Sequence, residues 1–171
     1  MMFCSVIVDL QARQFDTPHS IEVDQRTGLV FVADRNNGRI QVFRKETGAF
    51  VRVLASPYTR KGALRNPNPW LGYVSAVSFD PDLQALLSIE GAHVVLRDPR
   101  TGAVVQSWGG GSGRGSGEVE FPHDVEAIYG TDGGGVKASR VFVSELNNPR
   151  VQQWTAALDV PWSDTRYLGG G

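Results

Sequence analysis

Short apolar runs of four to six residues, β-branched or aromatic, alternate with polar turns along this chain. The first four runs are Ser20–Val23, Leu29–Ala33, Arg39–Arg44 and Phe50–Leu54. Between them lie Asp24-Gln25-Arg26-Thr27-Gly28, Asp34-Arg35-Asn36-Asn37-Gly38 and Glu46-Thr47-Gly48. Asn, Asp and Gly accept positive φ at little cost, so each break reads as a tight turn and each run as an antiparallel strand. Together they predict one four-stranded sheet, too small to stand as a domain.

The rest of the chain repeats that unit. Aligned on a Pro-His pair, one copy reads Phe121-Pro122-His123-Asp124-Val125-Glu126-Ala127, then Arg140–Ser144, then Asn147-Asn148-Pro149-Arg150-Val151-Gln152. Its last segment matches Asn36-Asn37-Gly38-Arg39-Ile40-Gln41 almost residue for residue. A weaker middle copy holds Val74–Phe79, Ala85–Ile89 and His93–Arg97, and its Thr101-Gly102-Ala103 echoes Thr47-Gly48-Ala49. Copies at roughly fifty-residue spacing, each a small sheet, predict an all-β chain of three four-stranded antiparallel β-propeller blades. The blades fall near 15–55, 71–108 and 120–168, a partial ring over 12–171, with boundaries near 56–70 and 109–119. Residues 1–11, with the run Ser5–Leu10, read as a tail or the remnant of a preceding blade. The expected inter-blade packing is Val23, Val30, Val32, Ile40, Val42, Val77, Phe79, Val141, Val143 and Val151.

Composition narrows this picture without changing it. At 171 residues the length suits about one domain. A net charge of −1 and a pI near 6.3 argue against a nucleic-acid or anionic-membrane surface. The single cysteine, Cys4, excludes an internal disulfide framework and a cysteine zinc site. Asp9 interrupts the apolar N-terminal run and no basic segment precedes it, so no signal peptide is expected. No stretch has the length of a membrane span. The loop cations Arg60, Lys61 and Arg65 read as solvated, and the Gly109–Gly117 tract as a flexible linker. The spacing of Gly133, Gly135 and Ala138 matches a dinucleotide pattern, but a strand follows, so it carries no cofactor.

In an antiparallel blade the start of strand one and the end of strand two share one face of the disc. His19 and His123 open first strands and Arg35 follows a second strand, so all three would border the central channel on that face. Neutral imidazole suits Zn²⁺, and a guanidinium suits a carboxylate. Each also has a plain reading. A histidine before a strand is commonly a turn residue, and a repeat can copy a structural one. Asp34 and Glu145 read as turn-bonding carboxylates, and His93 as a strand residue.

Pro18-His19-Ser20, with Val30 to Phe43, resembles an NHL repeat. More narrowly, Pro18-His19-Ser20 with Ala33 to Gln41, and Phe121-Pro122-His123-Asp124, resemble the peptidyl-α-hydroxyglycine α-amidating lyase family. This is the lyase half of peptidylglycine α-amidating monooxygenase. The resemblance implies cleavage of a peptide ending in α-hydroxyglycine to the peptide amide and glyoxylate. It implies zinc on His19 and His123, an active-site arginine at Arg35, and a structural calcium beside Asp124. It also implies a secretory or extracellular setting, and a cysteine pair in animal members where this chain has Phe31 and Val42. The family's third zinc histidine, its active-site tyrosine and a second arginine match nothing here, so the chain reads as the C-terminal half of a longer lyase. A non-catalytic NHL propeller that binds proteins or peptides is the alternative. An RNA-binding NHL domain would need a basic face, which the charge balance disfavours.

Overall fold

A computed structural model describes residues 14–58, 73–81, 83–110, 113–131 and 137–156. Eleven strands are present and no helix among the described residues. The first sheet holds β1 (Pro18–Asp24), β2 (Leu29–Asp34), β3 (Arg39–Arg44) and β4 (Phe50–Ala55) in that spatial order. The second holds β5 (Val74–Asp80), β6 (Ala85–Glu90), β7 (His93–Arg97) and β8 (Val104–Gly109). In the third, β9 (Pro122–Thr131), β10 (Lys137–Glu145) and β11 (Arg150–Ala156) repeat the order. The earlier run Ser5–Leu10, the cations Arg60, Lys61 and Arg65, Gly133 and Gly135, and the fourth strand expected near 168 lie outside the described residues. So does Cys4.

Every sheet is an antiparallel meander, and the turns are built as their chemistry requires. The Asp24 carboxylate accepts the N–H groups of Arg26 and Thr27, and Gly28 takes φ +65°. The middle blade copies the device: the Asp98 carboxylate accepts the Arg100 N–H, and Gly102 takes φ +79°. The first strands are innermost, with β5 packed between β1 and β9. Up-and-down sheets stacked face to face around adjacent first strands are propeller blades.

The middle blade is buried on both faces, because it lies between the other two. Side chains alternate across its pleat. Ala85, Leu87 and Ile89 join Val125, Val141 and Val143 of the third blade, whereas Leu86 joins Phe31, Ile40 and Val42 of the first. Five of the ten expected packing positions, Ile40, Val42, Val77, Val141 and Val143, are in these cores, and Val32 and Phe79 are also buried. Val151 is not: it is 65 % exposed, and the alternation of β11 turns Gln152 and Trp154 inward instead. Val23 and Val30 are only half-buried. Phe31 and Val42, opposite each other in the ladder, are fully buried. Arg150 donates to the carbonyls of Arg114 and Gly115 in the Gly-rich tract and of Glu118 just after it. Leu87 is 0 % exposed at the second inter-blade seam. Leu87→Ala is therefore expected to cost about 2–5 kcal/mol, read by urea denaturation.

Candidate functional site

Each blade ends its second strand in a buried carboxylate that organises the same face of the disc. Asp34 accepts from the Asp16 N–H at 2.8 Å, Arg39 Nε at 2.7 Å and Gln41 Nε2 at 2.9 Å. Glu145 repeats this with the Glu120 N–H at 2.7 Å, Arg150 Nε at 2.6 Å and Gln152 Nε2 at 2.7 Å. Burial raises the Glu145 carboxyl, but these donors outweigh it and leave the group below the ordinary glutamate range. In the middle blade Glu90 bonds Ser88 and Arg97. Asp34 and Glu145 have the structural role read from the sequence, but they bond side chains of the next strand and a backbone N–H ahead of the first strand, not the backbone amides of their own turns.

The carboxylates also fix which positions correspond between blades. Asp34, Glu90 and Glu145 pair with Pro18, Val74 and Pro122. The residues that follow each carboxylate, Arg35, Gly91 and Leu146, donate their N–H to the carbonyls of Thr17, Tyr73 and Phe121. His19, Ser75 and His123 are therefore equivalent, each at a break in register next to the start of the innermost strand. Thr17 and Phe121, just before the two Pro-His pairs, adopt φ +58° and +54°. Such values are uncommon for β-branched or bulky residues and mark local strain.

This framework brings the two histidines together. Their ring centroids are 4.8 Å apart and the rings meet edge to face at 77°. His19 Nδ1 lies 2.6 Å from the Ser75 carbonyl oxygen. The carbonyl only accepts, so Nδ1 carries the proton and the neutral ring keeps its lone pair on Nε2. Burial, then the neighbouring His19, holds His123 below the usual histidine range; Asp124 opposes this and Arg35 adds to it. His123 thus favours the neutral form that binds metals. Arg35 lines one small pocket with Tyr73, Ser75, Phe121, Pro122 and His123. Its guanidinium carbon sits 4.5 Å over the Tyr73 ring, a cation–π contact.

Two imidazoles in contact, one with its tautomer set, suit half of a tetrahedral zinc shell by donor chemistry. Among the described residues no group of three His, Cys, Asp or Glu converges. Asp124 is exposed, and its carboxylate accepts the Val125 N–H at 3.0 Å. Deeper along the inner strands, burial raises Glu126, and Glu22 and Asp124 reinforce that while Ser78 opposes it. His93 stands apart from the pair, stacked on Tyr58 with ring centroids 3.9 Å apart.

Sequence reasoning missed Ser75 and Tyr73. The middle copy has no Pro-His to align on. Alignment on its second-strand carboxylate, Glu90, would have placed both.

The NHL repeat model matches residues 15–43. Mouse NHL repeat-containing protein 3 is 29% identical over 153 residues, covering 87% of this chain and 37% of that protein. Peptidyl-glycine alpha-amidating monooxygenase A of Xenopus laevis is 41% identical over 76 residues, covering 37% of this chain and 8% of that protein. The chain thus spans little more than a third of the mouse relative and less than a tenth of the frog one. Among solved structures, the WD40 β-propeller domain of Doa1 aligns with a TM-score of 0.48 at 12% identity, covering 77% of this chain and 34% of that one. The blade topology is that of a β-propeller with three blades among the described residues, the first of which carries the matched NHL repeat.

Proposed function

We propose that this chain supplies part of a metal-dependent carbon–nitrogen lyase site acting on peptides that end in α-hydroxyglycine. The observation that carries the reading is the meeting of His19 and His123, ring centroids 4.8 Å apart, beside a pocket lined by Arg35. The similarity to the frog amidating monooxygenase supports it. His19, through Nε2, and His123 would hold zinc, with further donors from outside the described residues. When bound, zinc supplies Lewis-acid polarisation of a substrate oxygen. Arg35, backed by Tyr73, binds the terminal carboxylate through its forked donors. The C–N bond breaks as the hydroxyl oxygen becomes a carbonyl. The hydroxyl proton passes to the departing amide nitrogen, giving peptide amide and glyoxylate.

Glyoxylate release from a synthetic peptidyl-α-hydroxyglycine, measured with this chain joined to blades that supply the remaining zinc donors, tests this reading. Zinc-dependent release is expected there, and only weak zinc binding from this chain alone. Peptide binding that is indifferent to zinc and never followed by turnover would instead establish a binding module. That second reading draws on the broader match to NHL repeat-containing protein 3, which covers 87% of this chain. Arg35→Ala separates the roles further. It should leave zinc affinity unchanged and raise KM about ten- to a hundredfold, the weight of a charge-assisted hydrogen bond.

A further inference from the structure

We propose that Ser75 is the positioning residue of the histidine pair: its backbone carbonyl sets the His19 tautomer and its hydroxyl anchors the peptide unit that carries His123. The proposal rests on reading the pair as a metal site, and adds to it a group from the blade between them.

Ser75 occupies in the middle blade the place that His19 and His123 hold in the other two. Pairing steps from Pro18 to Ser20, from Val74 to Ala76 and from Pro122 to Asp124, leaving that one residue out of the ladder each time. A residue bulged from the ladder is free to bond elsewhere. Ser75 bonds in both directions. Its carbonyl accepts Nδ1–H of His19 at 2.6 Å, and its hydroxyl, in a residue only 8% exposed, donates to the Pro122 carbonyl at 3.3 Å. Pro122 immediately precedes His123 and follows Phe121 at φ +54°, so the hydroxyl tethers the strained entry to that histidine. The neighbouring residue strengthens the first seam, since the Ser20 hydroxyl accepts the Val77 N–H at 3.2 Å. One residue therefore ties both imidazoles to a common reference. Outer partners of this kind orient metal-bound imidazoles and select the nitrogen presented.

The test is ¹⁵N NMR of the metal-free chain with labelled histidine, at a pH where imidazole is neutral, followed by zinc titration. His19 should carry its proton on Nδ1, and zinc should perturb Nε2. Ser75→Ala should keep that tautomer, shift the His123 signals and weaken zinc binding about tenfold. Ser75→Thr, which retains a hydroxyl, should restore much of the loss. A His19 proton on Nε2, or Ser75→Ala with unmoved His123 signals and full zinc affinity, overturns the proposal. The tautomer is read without metal or turnover. Absence of glyoxylate release would therefore defeat the lyase reading and leave this result standing, and an unfolded Ser75→Ala chain would leave the wild-type tautomer to decide.

Discussion

Replacing His19 or His123 with alanine is expected to remove zinc binding and glyoxylate release together. Each variant leaves one imidazole where two meet at 4.8 Å. A lost ligand should weaken zinc by more than the roughly ten- to hundredfold typical of its outer partners. The fold should tolerate the change. Both residues are only partly buried, and His19 gives up one hydrogen bond, worth about 1 kcal/mol. His93→Ala is the matched control, since His93 stacks on Tyr58 away from the pair and should leave zinc affinity unchanged. Calorimetric zinc titration alongside thermal unfolding checks both halves. A His19→Ala chain that binds zinc as tightly as wild type would contradict the account.

Arg97→Met is expected to cost about 3–5 kcal/mol of stability, a large part of the 5–15 kcal/mol that holds a typical domain together. Arg97 and Glu90 are 3% and 0% exposed at their side chains, and their closest approach is 2.7 Å. Arg97 also donates to the carbonyls of Gly102 and Ala55, the latter in the first blade. Methionine fills similar volume but leaves the Glu90 carboxylate buried with the Ser88 hydroxyl as its remaining bonded side chain. The cost is that of an uncompensated charge, not of the ion pair itself. The double variant Glu90→Leu with Arg97→Met should therefore recover much of the loss. Urea denaturation of the single and double variants reads this directly. A loss below about 1 kcal/mol in Arg97→Met would place the pair in water and contradict its burial.

Strand positions were legible in the sequence because turn residues punctuate them at every step. β3 and β7 keep the limits read from sequence, and β2, β4 and β6 gain one residue at their ends. What sequence could not supply was the face each residue presents. Val151 follows the Asn147-Asn148-Pro149-Arg150 turn as Ile40 follows its counterpart, yet Ile40 is buried and Val151 exposed. The cover over Ile40 comes from Val74, Val77 and Leu86 of a neighbouring blade, a contact between residues distant in sequence. The site followed the same division. His19, His123 and Arg35 were legible from the repeated Pro-His and the strand ends. Ser75 and Tyr73 were not, because their importance arises only where the blades meet.

X-ray absorption at the zinc edge of the metal-loaded chain is the most direct test of the central claim that two histidines of this chain share one metal. The account predicts two imidazole shells per zinc at about 2.0–2.1 Å, falling to one in His19→Ala and in His123→Ala. A zinc environment without imidazole, or one unchanged by both substitutions, would contradict it.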